Sequence, residues 1–547
     1  MQEFNSPLEA FNHWVINTPE KIFLRQPIDR NFIEYTFAAA NDEVRKIAKG
    51  LQENGIKPGD HVALLSKNCA HWVMADLAIM MAGCISVPLY PTLGAESIRE
   101  ILIHSDSKAV IVGKLDDFNK QKTGIPDILS IGLALYDTQL AHSWESMLNE
   151  YASIEETPAQ EHGDLMTIMY TSGTTGTPKG VMHTVGAFNQ LINTSIDQIK
   201  LPDHPRYFSY LPMTHIAERA GIELAAIYRG GPISFPESLA TFAEDLSSVQ
   251  PEMFFGVPRI WQKFQEKILE KMPQKKLDKL IGLPLLGGLI KKKIRTKLGL
   301  NSSMANFSGA APIAVSLKEW YAKLGIEICQ AYGMTEDCIL SHFNLPGANK
   351  FGTVGKALPG ASTKLSGEGE ILIKSNCLMQ GYYKEPEKTA EMYMEDGYMR
   401  TGDIGEFDHD GYLTITGRIK DQFKTDKGKY ISPAPIELEF LKNNDIEQIC
   451  VVGTGIPQPI ALIVPSAIGR NKEKYELNDS LLMTMNLINP DLHTNEKISK
   501  IVIMKEEWSV DNGLMTPTLK VKRNRVEGNH NHMYDEWFKN NDQIVYE

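Results

Sequence analysis

The sequence predicts a multidomain α/β protein in which helices cover a largely parallel sheet. Three observations support this fold class. The chain has 547 residues, which is more than a single hydrophobic core usually supports. Between residues 61 and 112, short apolar strands alternate with segments of helical spacing, the pattern of parallel strands connected by helices. A loop rich in glycine and threonine follows an apolar strand at 165–169, an arrangement typical of phosphate binding.

The N-terminal elements follow from the spacing of apolar residues. The first long helix begins near Thr36, carries apolar residues at positions 44, 47, 48 and 51, and ends at Gly55. Strands are predicted at 61–66, 85–89 and 109–112, with helices at 71–83 and around 98–102. Residues 114–160 show no clear period and are predicted to form irregular connections.

The loop at 171–180 combines glycines, hydroxyl side chains and one lysine. Glycine lets backbone N–H groups turn toward an anion, hydroxyls add donors, and Lys179 supplies a compact positive charge. The predicted phosphate-binding residues are Thr171, Ser172, Gly173, Thr174, Thr175, Gly176 and Lys179. A flexible surface linker is the alternative, although linkers rarely follow a buried strand or carry an embedded Pro-Lys pair. The loop is not a Walker motif, because Lys179 precedes Gly180 and no Gly-Lys-Ser/Thr is present in it.

Charge and composition exclude several classes of protein. The formal net charge is -12, whereas a general nucleic-acid-binding protein carries a basic balance. The six cysteines form no C-x-x-C pair, so they are interpreted as core residues in a reducing compartment, not as zinc ligands or disulfides. The N-terminus lacks a signal-peptide pattern, and no apolar run reaches the length of about 18 residues that a membrane span requires. We therefore expect a cytoplasmic protein.

Two segments after the loop are predicted to be strands that lead into turns. Residues 207–219 are predicted to be an apolar strand running into a polar turn that contains His215. Residues 254–264 are predicted to form a strand, a proline turn and a helix.

The segment at 271–297 departs from the acidic average of the chain. It carries nine lysine or arginine residues around the apolar stretch 280–290. A basic segment with an apolar centre is predicted to lie on an anionic membrane surface, here the inner face of a membrane. The alternative is a solvated helical insertion whose apolar side packs on its own domain.

Several later motifs contain residues suited to nucleotide chemistry. Residues 306–312 are predicted to be a strand that ends in a tight turn of small residues. Residues 330–336 place an aromatic ring, a glycine, a hydroxyl and a carboxylate close together, a set suited to stacking a base, binding phosphate and holding magnesium. A Thr-Gly-Asp motif follows at 401–403, and Asp410-Gly411 is a predicted hairpin turn. The charged turn at 419–421 is the predicted domain boundary, and the cationic motif at 514–523 lies near the C-terminus.

Taken together, these motifs resemble the adenylate-forming (AMP-binding) superfamily, which includes acyl-CoA synthetases, firefly-type luciferases and peptide-synthetase adenylation domains. Its members share a Thr-Ser-Gly-Thr-Thr-Gly-x-Pro-Lys-Gly loop, a Tyr-Gly-x-Thr-Glu element, a Thr-Gly-Asp element and a Gly-Arg-x-Lys/Asp-Asp hinge region. The chain has all four in the family's order, at 171–180, 332–336, 401–403 and 417–421. Four ordered matches over nearly the whole chain make the resemblance specific.

Segments at 211–219, 256–261 and 516–523 are similar to the long-chain fatty acyl-CoA synthetase branch. The resemblance implies a large N-terminal domain of two α/β sheets plus a distorted β-barrel, at 1–420, and a small mobile α+β lid domain at 421–547. Two departures occur. Leu519 precedes Lys520 where many members have glycine, and Met213-Thr214 stands where long-chain members commonly carry leucine and a small residue. The second departure bears on acyl chain length and not on reaction class.

The resemblance implies a two-step reaction that uses ATP, Mg²⁺ and coenzyme A. A fatty acid carboxylate attacks the α-phosphate of ATP, and a thiol then displaces AMP. The 171–180 loop is expected to hold the β- and γ-phosphates, Glu336 and Thr174 to hold Mg²⁺, and Thr335 to contact the α-phosphate. The expected nucleoside contacts are Tyr332 over the adenine opposite Gly309, Ala310 and Ala311, and Asp403 on the ribose beside Arg418. An exposed carboxylate, a core tyrosine and a structural ion pair are the respective alternatives.

The remaining roles implied by the resemblance concern the mobile domain and the thiol. Lys520 is expected to bridge the carboxylate and the α-phosphate, with Lys522 as the alternative. Lys420 is the expected hinge, and the loop around Gly428 is expected to reach the site in the second step. His215 is expected to lie beside the reacting carboxylate and to gate thiol entry, although a core histidine is the simpler interpretation.

Other functions remain open at this point. An acyl-AMP ligase would pass the acyl group to a carrier-protein phosphopantetheine in place of coenzyme A. A nucleotide-binding regulator without activity is disfavoured by the intact set of charged motif residues, and a P-loop kinase by the missing Walker motif. A luciferase-like oxygenase has no feature in its favour.

Overall fold

The structure is a computed structural model that describes residues 3–171, 178–284, 286–516 and 519–547. The first part of the chain alternates helices with strands, as α1 (Pro7–Asn17), β1 (Ile22–Ile28), β2 (Asn31–Thr36), α2 (Phe37–Glu53), β3 (His61–Leu65), α3 (Ala70–Met81), β4 (Ile85–Leu89), α4 (Ala95–His104), β5 (Ala109–Val112), α5 (Phe118–Gln121), β6 (Leu129–Gly132), β7 (His142–Ser143) and α6 (Trp144–Glu150). Helix α2 begins where the sequence predicts, because the Thr36 hydroxyl accepts a hydrogen bond from the N–H of Ala39 at 3.1 Å and caps the helix.

The prediction of irregular structure at 114–160 is wrong. Strands β6 and β7 extend the central sheet in parallel, and α6 begins with a capping box formed by Ser143 and Ser146. The two strands contain four and two residues, which is too short for an alternating pattern to be visible in the sequence.

The middle of the chain contains the proposed phosphate loop and the basic segment. Its elements are β8 (Leu165–Thr171), β9 (Lys179–Thr184), α7 (Val185–Gln198), β10 (Tyr207–Phe208), α8 (Ile216–Glu218), α9 (Ala225–Arg229), β11 (Ile233–Ser234), α10 (Phe242–Val249), β12 (Met253–Phe255), α11 (Pro258–Lys271), α12 (Gln274–Ile281) and α13 (Leu286–Leu298). A π-helical turn, Arg219–Leu224, joins α8 to α9. The sequence prediction holds for β12 and α11, and the basic segment forms α12 and α13.

The predicted strand and polar turn at 207–219 need correction. Only Tyr207 and Phe208 are paired as a strand, and the chain is helical from Ile216. Arg219 is fully buried, because its guanidinium donates to the Asp76 carboxylate at 2.7 and 2.8 Å and to the Thr167 hydroxyl at 2.7 Å. A charged side chain is buried when such partners satisfy it, and these partners lie far away in the sequence.

The rest of the large domain carries short strands and two helices. They are β13 (Ala305–Ser308), α14 (Val315–Lys323), β14 (Ile328–Tyr332), β15 (His342–Phe343), β16 (Lys356–Ala357), β17 (Ser362–Leu365), β18 (Glu370–Lys374), β19 (Gly381–Tyr382), α15 (Pro386–Met392), β20 (Met399–Phe407) and β21 (Leu413–Arg418). The predicted Asp410-Gly411 turn lies between β20 and β21, which pair antiparallel.

In the described residues, the large domain contains an eight-stranded sheet, a five-stranded sheet and two four-stranded sheets. The first sheet has eight strands in the order β19-β9-β8-β4-β3-β5-β6-β7 and is parallel from β8 to β7. A five-stranded sheet, β12-β13-β14-β15-β16, lies beside a four-stranded one, β10-β11-β1-β2. The antiparallel sheet has the order β17-β18-β20-β21. The predicted α/β class is confirmed.

A smaller C-terminal domain follows a 3-10 turn, Ile419–Asp421. Its elements are β22 (Phe423–Lys424), β23 (Tyr430–Ile431), α16 (Pro433–Phe440), β24 (Ile446–Val452), β25 (Ile460–Pro465), α17 (Ala467–Arg470), α18 (Lys474–Ile488), β26 (Lys500–Ile503), α19 (Arg523–His530), α20 (Tyr534–Lys539) and β27 (Ile544–Tyr546). The sheet β24-β25-β26-β27 has a buried apolar cluster on each face. The domain therefore has a core of its own.

The cysteines lie in the interior, as the sequence predicts. All six cysteines are buried. Within the described ranges, no helix combines the length and apolar character needed to cross a membrane.

Candidate active site

A large cavity lies where the two domains face each other. Its volume is about 1830 Å³, and both domains line it. The lining includes most of the site residues that the sequence predicts: Thr171, Lys179, His215, Gly309, Ala310, Ala311, Tyr332, Thr335, Glu336, Asp403, Arg418, Lys420 and Lys520. Residues separated by hundreds of positions in the sequence therefore face one space.

The glycine- and threonine-rich segment lies between β8 and β9 in the sequence, and the residues on either side of it, Thr171 and Lys179, line the cavity. Thr171 ends β8 and pairs with Lys179, the first residue of β9. The Lys179 ammonium lies 4.6 Å from the centre of the Tyr382 ring, a cation–π contact. The predicted phosphate contacts Ser172, Gly173, Thr174, Thr175 and Gly176 fall outside the described residues.

The turn after β14 carries Thr335 and Glu336 and is held from two sides. His183 on β9 donates from Nε2 to the backbone oxygen of Thr335 at 2.6 Å. The N–H of Met379 donates to the backbone oxygen of Glu336 at 2.8 Å, and the Tyr382 hydroxyl donates to the Glu336 carboxylate at 2.8 Å. The turn is thereby fixed against the edge of the eight-stranded sheet.

A triad of Tyr332, Asp403 and Arg418 connects β14 to the antiparallel sheet. The Tyr332 hydroxyl donates to Oδ2 of Asp403 at 2.8 Å, and the Arg418 guanidinium lies 2.9 Å from Oδ1. Burial raises the pKa of Asp403, and Arg418, Tyr332 and Lys520 offset part of this effect. Each carboxylate oxygen has a second lone pair, so Asp403 retains acceptor capacity toward the cavity.

The small-residue turn after β13 forms another wall of the cavity. Ala310 has a φ of +67°, an uncommon left-handed conformation for a residue other than glycine. A Cβ added to Gly309 would lie 3.1 Å from the backbone oxygen of Ala331 and 3.1 Å from the Phe255 ring. The turn therefore packs tightly against β14 and leaves its backbone facing the cavity.

Lys520 enters the cavity from the small domain on a short hairpin. Met515 and Val521 form the base of the hairpin as an isolated bridge, and the N–H of Thr516 donates to the backbone oxygen of Lys520 at 2.8 Å. Leu519 has a φ of +61°, which is the position where many members of the resembled superfamily have glycine. Residues 517 and 518 fall outside the described part.

The charge of Lys520 is set by its surroundings. Burial and the nearby Arg418 guanidinium lower the pKa of Lys520 to about 8, against the opposing effect of Asp403 and Glu336. Lys522, the predicted alternative, also lines the cavity, and burial lowers its pKa as well. Lys520 is the one whose ammonium is surrounded by the predicted nucleotide-binding residues.

His215 lies beside Lys520 and is held by its own helix start. Its Nδ1 accepts the N–H of Ala217 at 3.3 Å. Burial and the adjacent Lys520 lower the pKa of His215 to about 3, so the imidazole is neutral at pH 7.

The predicted hinge residue Lys420 and the predicted loop residue Gly428 differ in their position relative to the cavity. Lys420 lies in the 3-10 turn between the domains and lines the cavity. Gly428 lies in an exposed turn between β22 and β23 with a φ of +75° and stands apart from the described residues around the cavity. The structure therefore does not bring Gly428 to the predicted site.

One part of the cavity lining, inside the large domain, is mainly apolar and is called the apolar branch. Its wall contains residues of α7, α8, the π-helical turn and α9: Leu191, Ile192, Ile196, Ile199, Ala217, Ala220, Gly221 and Ala225. A Cβ added to Gly221 would meet no atom within 4 Å. The cavity lining thus combines polar and charged residues with an apolar set, and His215 also lines the cavity.

Sequence reasoning missed four residues of this site: His183, Tyr382, Asp337 and Arg259. Asp337 is fully buried and accepts the N–H of Met334 at 2.9 Å within the Thr335 turn. Asp337 directly follows the Tyr-Gly-Met-Thr-Glu motif, and Arg259 lies within the 256–261 segment that is similar to the long-chain branch. The roles of His183, Tyr382 and Arg259 depend on contacts that the sequence does not reveal.

The donor set fits a nucleotide with a magnesium ion. Lys520, Arg418 and Lys179 supply positive charge, Tyr332 and Asp403 supply an aromatic ring and a carboxylate, and all line one cavity. In the described part of the chain, no three His, Cys, Asp or Glu side chains group as metal ligands. One carboxylate together with phosphate oxygens is how proteins usually hold Mg²⁺, and Glu336 is suited to that role.

The chain is similar to known ligases over most of its length. Among curated proteins, a long-chain-fatty-acid–CoA ligase of Mycobacterium bovis is 29% identical, with 93% of each chain covered. Long-chain-fatty-acid–CoA ligase 6 of Rattus norvegicus is also 29% identical, over 87% of this chain and 78% of its own.

Solved structures show the same fold. The adenylation domain of a carboxylate reductase from Mycobacterium chelonae matches with a TM-score of 0.81 at 20% identity, covering 98% of this chain and 91% of that one. An o-succinylbenzoate CoA synthetase from Bacillus subtilis, solved with its acyl-adenylate intermediate, matches with a TM-score of 0.74 at 21% identity, covering 95% and 97%.

The family patterns span both domains. The pattern described as AMP-binding enzyme matches residues 11–383, which is more than half of the chain. The pattern described as AMP-binding enzyme C-terminal domain matches residues 420–542. The chain belongs to the AMP-binding enzyme family.

Proposed function

We propose that the protein is an ATP-dependent long-chain fatty acid–CoA ligase that forms an acyl-adenylate and then a coenzyme A thioester. The observation that carries this proposal is the lining of the cavity, which combines charged residues with the apolar branch. The charged part suits a nucleotide and a carboxylate. The apolar branch suits a hydrocarbon chain, because burying apolar surface is favourable. The names of the curated relatives support the same substrate class.

The first step brings an anion to a polyanion. Two like charges 4 Å apart repel by about 4 kcal/mol at an effective dielectric constant of 20. A tenfold change in rate corresponds to about 1.4 kcal/mol, so this repulsion needs to be offset by fixed positive charge. Lys520 offsets it, bridging the carboxylate and the α-phosphate.

The atoms of the first step balance without a further reactant. A carboxylate oxygen forms a bond to the α-phosphorus while the bond from that phosphorus to the bridging oxygen of the β-phosphate breaks. Pyrophosphate leaves and is held by Lys179 and the 171–180 loop. Thr335 contacts the α-phosphate during the exchange.

The nucleoside is held by the residues around the Tyr332–Asp403 contact. Tyr332 covers one face of the adenine, and Gly309, Ala310 and Ala311 cover the other. Asp403 accepts hydrogen bonds from the ribose hydroxyls, with Arg418 holding the carboxylate in place. The 2.8 Å contact between Tyr332 and Asp403 supports this, since it couples the base wall to the ribose acceptor.

Glu336 and Thr174 would hold the magnesium ion. When bound, Mg²⁺ supplies positive charge to the phosphate oxygens. The Tyr382 hydroxyl orients the Glu336 carboxylate, which is the contribution of this chain that the structure supports.

The second step requires the small domain to move. Lys420 is the hinge between a large domain at 1–420 and a lid domain at 421–547. Rotation about it withdraws Lys520 and brings the exposed Gly428 turn to the cavity, where a residue without a side chain leaves room for the pantetheine arm of coenzyme A. The thiol sulfur then bonds to the acyl carbon, AMP leaves with the carboxyl oxygen, and the thiol proton is lost. Neutral His215 gates the approach of the thiol.

The test is a pyrophosphate-release screen over straight-chain fatty acids of graded length, with coenzyme A as acceptor. We expect activity to rise with chain length and acyl-CoA to be the product. Transfer to a holo-carrier protein but not to coenzyme A would favour the alternative, a fatty acyl-AMP ligase. Absence of carboxylate-dependent pyrophosphate release would overturn the proposal.

We also infer that α12 and α13 contact an anionic membrane surface. Leu283, Leu286 and Leu289 are exposed by 37%, 55% and 65%, while Ile281 packs on the large domain, so part of the apolar stretch faces outward. They are flanked by lysines at 275, 276, 279 and 291–293. Apolar side chains with surrounding cations fit the interface of an anionic bilayer.

A further inference from the structure

The two domains are joined by a cluster of ion pairs centred on Arg259. This residue lies in the first turn of α11 in the large domain. Its Nη2 is 2.8 Å from Oε1 of Glu447 and also pairs with Oε1 of Glu507, and both carboxylates belong to the small domain. The side chains of Arg259 and Glu447 are only 14% and 11% exposed. The pair is therefore far less screened by solvent than a surface salt bridge.

The carboxylates of Glu447 and Glu507 are also paired with Arg470, a cation of their own domain. Arg470 lies 3.3 Å from Oε2 of Glu447 and 3.4 Å from Oε2 of Glu507. Their other oxygens, Oε1, are the ones that meet Arg259. Lys263, one turn further along α11, lies 3.8 Å from Glu447. The small domain thus presents a preformed acceptor for one arginine of the large domain.

Arg259 also contacts the hairpin that carries Lys520. Its Nη1 lies 3.1 Å from the sulfur of Met515, and Met515 forms the base of the hairpin with Val521. Gln448, adjacent to Glu447, lies 3.2 Å from the same sulfur. The ion-pair cluster and the Lys520 hairpin therefore form one continuous contact surface.

The stability of α11 does not explain why an arginine occupies its first turn at position 259. A cation in the first turn of a helix is disfavoured by the helix dipole. Arg259 has its hydrogen-bonding partners on the small domain, so its position benefits the interface and not α11.

We propose that Arg259 is a positioning residue for adenylation, which holds the small domain in the orientation where Lys520 enters the cavity. Glu447 and Glu507 move with the small domain while Arg259 stays with α11, so these pairs must break when the domain rotates at 419–421. The cluster therefore stabilises one orientation selectively. This inference rests on the proposed function for the role of Lys520.

The first test compares the two half-reactions in Arg259→Met. We expect carboxylate-dependent pyrophosphate release to fall about tenfold, as for removing one partner of a partly buried charge pair. Thioester formation from supplied acyl-adenylate and coenzyme A should change by less than about threefold, because that step uses the other orientation. The matched control is Lys267→Met, which removes an exposed cation from the same helix. Equal loss in both half-reactions would overturn the inference.

Arg259 also lines the cavity, so a direct contact with substrate must be distinguished. A double-mutant cycle with Glu507→Gln does this, because coupled residues give non-additive effects. We expect the double variant to be no worse than Arg259→Met alone. If the fold losses of the two single variants multiply in the double variant, Arg259 acts independently of Glu507. That result would assign Arg259 to substrate binding and overturn the positioning role. Glu507 is 37% exposed, so its variant should fold even if Arg259→Met does not, and it should show the same half-reaction imbalance alone.

A readout without substrates separates this inference from the proposed function. Amide hydrogen exchange of residues 515–521 reports docking of the hairpin against α11. We expect faster exchange in Arg259→Met and Glu507→Gln and unchanged exchange in Lys267→Met. Unchanged exchange in Arg259→Met and Glu507→Gln would overturn the inference, whatever reaction the protein catalyses. Faster exchange in these variants of a protein that shows no fatty acid activity would support the inference about the interface and overturn only the proposed function.

Discussion

His183 donates a hydrogen bond from Nε2 to the backbone oxygen of Thr335 at 2.6 Å. Burial lowers the pKa of His183 to about 4, so the ring is neutral at pH 7 and has a single N–H to donate. The ring is fully buried. One histidine on β9 therefore fixes the turn that carries the proposed α-phosphate contact and the proposed magnesium ligand, Glu336.

Replacing His183 by leucine should impair adenylation. A buried carbonyl left without a donor costs about 1–3 kcal/mol, so we expect kcat/KM for carboxylate-dependent pyrophosphate release to fall about tenfold. The His183→Gln variant retains an N–H donor and should recover most of the loss. If leucine and glutamine variants lose activity equally, the hydrogen bond does not position the turn.

Replacing Lys520 by alanine should separate the two half-reactions. We expect pyrophosphate release to fall by about a hundredfold or more, because the charge that offsets anion repulsion is removed. Thioester formation from supplied acyl-adenylate should be largely retained. Lys522→Ala, in the same motif, is the control and should retain both half-reactions. The opposite pattern would assign the catalytic charge to Lys522.

The lowered pKa of Lys520 also predicts a pH dependence. Its pKa is about 8 in the free protein, so the ammonium loses its charge as pH rises through that value. The kcat/KM for adenylation, which reports the free enzyme, should therefore fall above pH 8. In Lys520→Arg the guanidinium stays charged, so the residual activity should not show this alkaline decline. If kcat/KM declined with the same midpoint pH in the wild type and in Lys520→Arg, the titrating group would be a residue other than Lys520.

The sequence motifs were informative where a function needs specific residues close together in the chain. The Tyr-Gly-Met-Thr-Glu turn and the Thr-Gly-Asp strand could be recognised because their chemistry depends on adjacent residues. Likewise, α2 could be located from its apolar period and its Thr36 cap.

Residues that support the site from a distance could not be recognised. His183 and Thr335 are 152 positions apart, and Arg259 and Glu447 are 188 apart. Each pair depends on how two sheets or two domains pack, and a lone histidine or arginine has no local pattern that reveals its partner. The same applies to Arg219, whose burial depends on Asp76 143 positions away.

Gly221 is expected to set the length of the acyl chain that the apolar branch accepts. It lines the branch, and an added Cβ would meet open space. In Gly221→Leu the new side chain should fill the channel, so kcat/KM should fall about tenfold or more for the longest fatty acids and little for short ones, since one methylene is worth about 1–3 kcal/mol. Stability should not fall, because leucine is a better helix former than glycine.

The chain-length screen needs a control for a leucine added elsewhere. Gly528 lies in α19, is exposed, and also has open space around its Cα. Gly528→Leu should leave the chain-length profile unchanged. A uniform loss over all lengths in Gly221→Leu would show that the residue affects the reacting centre and not the channel.

The exposed leucines of the basic segment are expected to insert into anionic bilayers. Replacing Leu286 and Leu289 by serine should weaken binding to phosphatidylserine-containing vesicles by about a hundredfold or more in a flotation assay, since burying each leucine side chain contributes about 1.5–3 kcal/mol and about 1.4 kcal/mol corresponds to a tenfold change. Neutral phosphatidylcholine vesicles should bind less than anionic ones, because the lysines contribute charge attraction. Leu239, which is 91% exposed, lies outside the segment, so Leu239→Ser is the control. Equal binding of all variants would exclude this surface.

The buried Asp337 carboxyl predicts that the stability of the protein changes with pH. Burial raises its pKa to about 8 in the folded protein, against about 3.9 in an unfolded chain. Between these values the folded state holds a proton that the unfolded state has released, so the contribution of Asp337 to stability falls as pH rises and levels off above pH 8. The slope is at most about 1.4 kcal/mol per pH unit.

Asp337→Asn removes this titration while keeping the acceptor for the Met334 N–H. Glu218, whose pKa burial also raises to about 8, is present in both proteins, so its effect cancels in the difference. Urea unfolding at pH 5.5 and pH 8 should therefore show the variant gaining stability relative to the wild type at the higher pH. A difference that is the same at both pH values would mean that Asp337 is ionised in the folded protein, and the turn at Thr335 would then have to accommodate a buried negative charge next to Glu336.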